Sequence, residues 1–346
     1  MPEVSILMPC YNASNYLSEA IGSILNQTYS DFELILINDG STDNTELIVS
    51  SFNDNRIKYI NNTNNLGLIN SLNIGITASR GLFIARMDAD DIAHPKRLEI
   101  QVKFLKENPY YSIVGSYANI INSVGKRKFR KLKLPVQNKE IKAELFFQNS
   151  FVHPSILMKA DVLKKFNYSL DFPIAEDYFL WVKILENHNA YNLPFFLLDY
   201  RIHKNNTSSK NITIQNESVY KIYTYLFDNY IFSLDPKFID AHFKLCIHNR
   251  SILFRFEDYS HVETYIMVLY KEIKLHSLEI DYVLFLNLLK EKWINFNKNL
   301  LKYQSIKYSD FWKSNTNQLL SIKLKNKLIL FLYYVLFCFL PNRFKN

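Results

Sequence analysis

Phe83-Ile84-Ala85-Arg86-Met87-Asp88-Ala89-Asp90-Asp91 is an apolar run that stops in three carboxylates. Phe83 to Met87 reads as a buried strand. Residues two apart in an extended chain face the same side, so Asp88 and Asp90 converge on one point at its carboxyl end. Hard oxygen donors at such a point suit Mg²⁺ or Mn²⁺, which complete their shell with substrate phosphates and water. The plainer alternative is a polar loop capping a helix that starts near Pro95, with Asp91 as a solvated turn residue.

Strand and helix signals alternate up to this run. Val4 to Met8, Phe32 to Ile37 and Arg56 to Ile60 read as strands. Tyr16 to Gln27, Thr45 to Phe52 and Ile69 to Ala78 read as the helices, the first with Leu17, Ala20, Ile21, Ile24 and Leu25 on one face. Strands spaced by helices imply a parallel sheet with right-handed crossovers, and ligands of such sheets sit beyond the carboxyl ends of the strands. Pro9-Cys10-Tyr11-Asn12, Asp39 and Asp88 to Asp91 all fall on that rim.

The chain of 346 residues is long enough for two domains, and 48% hydrophobic with 21% charged residues describes a folded protein. Its net charge of +8 favours an acidic partner: nucleic acid, an anionic membrane or a phosphorylated substrate. Cys10, Cys246 and Cys338 are too scattered for a disulfide framework or a zinc site, which fits a reducing cytosol. Met1-Pro2-Glu3 leads straight into a strand, so no signal peptide is expected.

Neither Gly-x-Gly-x-x-Gly after the first strand nor Gly-Lys-Ser/Thr is present, which excludes the usual dinucleotide and P-loop sites. A nucleotide site here would work differently. Asp39 can accept the imide N–H of uracil, Tyr11 can stack on the base, and a metal can neutralise a diphosphate. Asp39-Gly40-Ser41 also reads as an ordinary Asx-type turn, and both readings can hold together.

Pro9-Cys10-Tyr11-Asn12, Asn38-Asp39-Gly40-Ser41-Thr42-Asp43, Asp88-Ala89-Asp90-Asp91, Glu176-Asp177-Tyr178 with Trp181, and Tyr200-Arg201-Ile202-His203 occur in that order. The set resembles the family 2, GT-A fold, inverting glycosyltransferases, over residues 1 to about 210. Asn65-Leu66-Gly67 through Gly75, Ala85 to Ala93 and Tyr200 to Ser209 look like the bacterial lipooligosaccharide β-1,3-N-acetylgalactosaminyl/galactosyltransferases. One departure is Leu72, where many members carry Arg or Lys; diphosphate neutralisation then falls on the metal and on Arg86 or Arg201.

The resemblance implies an α/β GT-A domain over residues 1–210, with a nucleotide-sugar half to about 115 and an acceptor half from about 116, followed by a helical region over 211–346. It implies nucleotide contacts from Pro9, Tyr11, Asn12, Asp39, Asn65, Gly67, Arg86, Asp88 and Ala89. Asp90, Asp88 and His203 would hold Mn²⁺ or Mg²⁺. Inversion at an anomeric carbon needs a carboxylate beside the acceptor hydroxyl, on the face away from the leaving diphosphate. By resemblance Asp177 is that base and Glu176 orients the acceptor or sugar, although either can simply cap the helix they open. His153 and Trp181 are expected on the acceptor side, His153 with a structural role as the alternative.

Beyond Lys210 the sequence is helical and aromatic, with Tyr220 to Tyr230, His242 to Phe256, Val262 to Leu275 and Tyr282 to Asn295 at helical spacing. Leu328 to Leu340 is an unbroken apolar run with Lys323, Lys325 and Lys327 before it and Arg343 and Lys345 after it. It is shorter than the roughly 20 residues that span a bilayer, so it reads as a helix in the interface of an anionic leaflet, or else as a buried core helix. The expected enzyme is peripheral to the cytoplasmic face of the inner membrane. It takes a UDP-sugar donor and a glycan or lipid-linked acceptor, has no nucleic-acid partner, and leaves homo-oligomerisation open. Two rivals are a sugar-phosphate nucleotidyltransferase, which wants a Gly-rich basic loop where Cys10-Tyr11-Asn12-Ala13 stands, and a non-catalytic carbohydrate-binding module, which has no need of Glu176-Asp177.

Overall fold

The computed structural model describes residues 1–204, 206, 211–230, 235–246, 256–275, 281–302 and 313–322. Two compact units result: Met1–Ile141 with Asn149–Ser218, and Lys142–Gln148 with the chain from Val219 onward.

In the first unit β1 (Val4–Cys10), α1 (Leu17–Leu25), β2 (Phe32–Asp39), α2 (Thr45–Ser50), β3 (Ile57–Asn62), α3 (Leu68–Ala78) and β4 (Phe83–Arg86) alternate. Each crossover helix lets the next strand run parallel, and β3, β2, β1 and β4 are neighbours in that order. Every residue of β1 and β2 is buried, as expected of strands covered on both faces. The α1 helix turns Leu17, Ala20, Ile21 and Ile24 inward, at the spacing of one helical face.

The sheet then becomes mixed. After β5 (Ile92–Ala93), α4 (Arg97–Glu107), β6 (Ile113–Ile121), β7 (Arg127–Leu132) and α5 (Asn138–Leu145), the chain passes a 3-10 turn at His153–Ser155 into β8 (Leu157–Lys159). The β8 strand lies between β4 and β6 and is antiparallel to both. The α6 (Ala160–Phe166) and α7 (Glu176–Ile184) helices lead to β9 (Ala190–Arg201), which runs parallel to β6 along its whole length. The short β5 pairs antiparallel with the end of β9, Ile92 opposite Asp199. This pairing brings the far end of the acidic loop against a strand that starts a hundred residues later.

In the second unit, aromatic side chains pack around a buried histidine. His242, on the helix Phe238–Cys246, shares hydrogen bonds through Nδ1 with the Tyr265 hydroxyl (2.7 Å) and through Nε2 with the Phe146 carbonyl (2.9 Å). Burial pulls its pKa down to about 3, so it packs as a neutral ring. Helices Phe256–Leu275 and Tyr282–Lys302 complete this core with Tyr265, Phe285 and Trp293. No helix among the described residues is long and apolar enough to cross a membrane. Leu328 to Leu340 and Cys338 lie outside the described residues.

Candidate active site

The β4 strand ends at Arg86, and the loop that follows gathers its carboxylates. One ligand atom each of Asp88, Asp90 and Asp91 lies within 4.8 Å of the others. The Asp90 Oδ2 is 2.8 Å from His203 Nε2, and Asp88 is ion-paired with Arg86. The alternative of Asp91 as a solvated turn residue is overturned, since it is 1% exposed. Burial, with the charges of Asp88 and Asp90, pushes its carboxyl well above the usual range. Burial also raises Asp88, against the pull of Arg86. Crowded carboxylates that resist ionisation are relieved by a cation. One observation of the site itself fits a divalent ion: Asp91 Oδ2 is buried with no hydrogen-bond partner among the described residues.

Arg201 frames this loop. Its N–H donates to Asp91 Oδ1 (2.7 Å), its Nε to the Asp90 carbonyl (2.6 Å), and its Nη1 to the carbonyls of Asn122 (3.3 Å) and Ser123 (3.4 Å). Its Nη2 pairs with Glu19, and the guanidinium lies 4.6 Å from the Tyr16 ring centre. The expectation that Arg201 neutralises a diphosphate is therefore corrected: its donors are spent inside the protein and the side chain is 2% exposed. Arg86 is also buried, at 6% exposure, but its Nε has no hydrogen-bond partner among the described residues. Leu72 is wholly buried on α3, so it belongs to the core rather than to the site.

On the rim beyond β1 and β2, two loops are stitched together. Asn12, at φ 48°, donates its N–H to Ser41 Oγ (2.9 Å) and accepts the Thr42 N–H on Oδ1 (2.8 Å). The Ala13 N–H donates to Thr45 Oγ1 (2.9 Å), and Ser14 N–H to Asp43 (3.1 Å). Partial burial opposes ionisation of Asp43, but hydrogen bonds from Ser14 and Thr45 outweigh it and hold its carboxyl down to about 2. Tyr11, half-exposed beside buried Pro9, offers a ring face to a ligand.

Asp39 is 3% exposed, and its carboxylate accepts Asn62 Nδ2 and the Leu66 N–H on Oδ1 and the Gly67 N–H on Oδ2, each at 2.9 Å. It thus anchors the Asn65-Leu66-Gly67 loop, a role the sequence reading did not foresee. A base would meet only the remaining lone pair of Oδ2. Gly40 next to it has φ +69°, and a Cβ there would lie 2.5 Å from the Asn64 carbonyl carbon. Ala89 closes the rim at 9% exposure.

On the other side, Glu176 and Asp177 open α7, whose capping residue Ala175 supplies no side-chain bond. Asn149 Nδ2 donates to Asp177 Oδ2 (2.7 Å), and the Tyr178 N–H to Oδ1 (2.7 Å). Burial and the neighbouring Asp177 push Glu176 up to about 7, and burial raises Asp177 despite those bonds. The Asp177 charge adds slightly to the upward push on Asp88. His153 Nε2 is 2.8 Å from the Tyr168 hydroxyl, and burial drives its pKa well below the ordinary value. Trp181 is fully buried, its ring 5.9 Å from His153 and 5.4 Å from Phe151. A direct acceptor contact by Trp181 is therefore ruled out; it backs the His153 ring. Asn149, Tyr168, Tyr16 and Glu19 were missed because each reaches the site through contacts far apart in sequence.

The sequence model of the Glycosyl transferase family 2 matches residues 5–166. An uncharacterized glycosyltransferase of Haemophilus influenzae is 41% identical over 232 residues, covering 64% of this chain and 72% of that protein. The chain belongs to glycosyl transferase family 2. A further glycosyltransferase relative, the Escherichia coli UDP-Glc:alpha-D-GlcNAc-diphosphoundecaprenol beta-1,3-glucosyltransferase WfgD, is 34% identical over 208 residues, covering 60% of this chain and 79% of that one. Among solved structures, the mannosyltransferase PcManGT from Pyrobaculum calidifontis, in complex with GDP-Man and Mn²⁺, superposes with a TM-score of 0.54 at 16% identity over 98% of this chain and 87% of that one. The fold of the family 2 transferase is thus a GT-A-type mixed, mostly parallel sheet with flanking helices. The family match takes in Asp39 and Asp88 to Asp91; Glu176, Asp177, Arg201 and His203 lie beyond it.

Proposed function

We propose that this glycosyltransferase is inverting and divalent-cation-dependent, and moves a hexose or N-acetylhexosamine from a UDP-sugar to a lipid-linked glycan acceptor in bacterial surface polysaccharide synthesis. The observation that carries the reading is the Asp88, Asp90 and Asp91 cluster at the end of β4, its ligand atoms within 4.8 Å of one another, on the same unit as the Asp177 that opens α7. Asp88, Asp90 and Asp91, with His203 beside Asp90, would hold Mn²⁺ or Mg²⁺. Bound there, the ion supplies positive charge to the donor diphosphate.

Tyr11 stacks on the uracil and Asp39 accepts its imide N–H, while the Arg86 guanidinium, ion-paired with Asp88, lends positive charge beside the diphosphate. Asp177 takes the proton from the acceptor hydroxyl as its oxygen bonds to the anomeric carbon. The bond to UDP breaks at the same time, UDP leaves with the electron pair, and the configuration inverts. Asn149 holds Asp177 in place for that transfer. Galactose or N-acetylgalactosamine is the sugar that the resemblance favours, and the carrier-lipid acceptor in the name of WfgD supports a lipid-linked acceptor.

Product analysis by NMR, with a panel of α-linked UDP-sugars and a saccharide acceptor, tests this. A β linkage is expected, with turnover lost in EDTA, restored by Mn²⁺ or Mg²⁺, and abolished in Asp90→Asn. An α product, or full turnover in EDTA, overturns it.

A further inference from the structure

No Asp or Glu occurs in residues 108–139, and six of the eight residues from Lys126 to Lys133 are Lys or Arg. They form β7 and its flanks, and all six are exposed. Phe129, in the middle of the strand, stands fully in solvent at 107% exposure, and Val124 in the preceding turn is 82% exposed. Two of the cations have partners: Arg127 meets Asp199 at 3.1 Å, and Lys131 lies 4.6 Å from the Phe196 ring centre. Lys126, Lys128, Arg130 and Lys133 meet no carboxylate among the described residues.

Among the described residues the β7 strand pairs only with β6, and none of them pairs along its other edge. Edge strands carry a lysine to block unwanted pairing, but that purpose needs neither six cations nor a bare phenylalanine. An apolar ring set among cations matches an anionic bilayer: the ring enters the headgroup layer and the cations meet lipid phosphates. The turn of this hairpin is also tied to the site. Arg201 donates to the carbonyls of Asn122 and Ser123 and, with its Nε, to that of Asp90. A surface seated on the hairpin is therefore one buried side chain away from the carboxylate cluster.

We propose that β7, with Lys126 and Lys133, docks the protein on an anionic phospholipid leaflet and so presents the site to an acceptor whose carrier lies in that leaflet. The purpose rests on the lipid-linked acceptor reading above; the binding itself does not.

Flotation of the full chain with vesicles of phosphatidylglycerol and phosphatidylcholine tests it. The K128E/F129S/R130E variant is expected to partition at least about tenfold more weakly, since each cation near an anionic leaflet contributes substantially. The milder K126Q/K133Q variant is expected to lose several-fold, and binding is expected to fall as salt rises. Equal thermal melts show that each variant is folded. Transfer to a soluble acceptor, which uses none of these residues, stays at the wild-type rate; if the wild type itself shows no transfer, the proposed chemistry fails while the partitioning result stands. Unchanged partitioning of both variants, equal binding to pure phosphatidylcholine, or capture of single-stranded nucleic acid without vesicle binding overturns the docking proposal.

Discussion

The backbone N–H of Arg201 donates to the Asp91 carboxylate at 2.7 Å, joining residues 110 positions apart. With its Nε on the Asp90 carbonyl, Arg201 fixes the carboxylate loop from behind. Lysine keeps the charge but loses the fork that serves several carbonyls at once. Arg201→Lys is expected to lower stability by about 2–4 kcal/mol, as for a broken buried polar network, and to depress turnover as the loop slackens. Urea unfolding and initial rates check this; wild-type stability would remove Arg201 from its framing role.

The pH dependence of stability follows from Glu176, which is pushed up to about 7 in the folded protein. A raised carboxyl pKa means that the fold favours the protonated form. Ionisation therefore costs stability, and the penalty builds from about pH 4.5 to about pH 7. In the metal-free protein, Glu176→Gln is expected to stabilise by about 3 kcal/mol near pH 8 and by under about 1 kcal/mol near pH 5. Denaturation curves at the two pH values measure it, and an equal gain at both would refute the assignment.

As the proposed base, Asp177 adds a kinetic signature, because a base must be ionised to accept a proton. Its pKa is raised from 3.8, so kcat/KM is expected to fall on the acid side at a pH above that value. Asp177→Asn is expected to erase this limb and cut turnover by about 10²–10⁴-fold while donor binding persists. Lost UDP binding in the variant, by calorimetry, would point to a donor-site role instead.

A side chain at position 40 has nowhere to go. Gly40→Ala places a methyl 2.5 Å from the backbone of Asn64 at a left-handed φ, so a loss of about 2–4 kcal/mol is expected together with weaker UDP binding. Thermal melts with and without UDP read both effects.

For Trp181 the two substitutions separate packing from contact. Trp181→Ala is expected to cost about 3–5 kcal/mol. Trp181→Phe drops an indole N–H that has no partner among the described residues, and is expected to cost under about 1.5 kcal/mol with the acceptor KM unchanged. A raised acceptor KM in a fully stable Trp181→Phe would restore a direct contact.

The four parallel strands were legible because their apolar runs are local and each is closed by a polar turn. Asp88 and Asp90 were legible as a local run of carboxylates closing an apolar stretch, although β4 ends at Arg86 and it is the loop beyond, not the strand's period, that gathers them. The burial of Asp91 was not. It arises from β9, whose pairing with Ile92 and Ala93 no nearby residue announces. Arg201 was read as one stand-in for the cation that Leu72 replaces, whereas the carbonyls that occupy it come from loops 79 and 111 positions away. Trp181 fell on an amphipathic helix whose inward face only the tertiary packing selects.

The loan of Lys142–Gln148 to the helical unit bears on how the gene can be cut. Phe146 and Phe147 of that loan lie 5.4 and 4.9 Å, ring to ring, from Phe285. A fragment stopped near Ser218 would carry both rings with their packing partners gone. Recombinant expression of the first unit alone therefore calls for polar replacements at both positions, or for co-expression of the remaining chain as a complementing fragment.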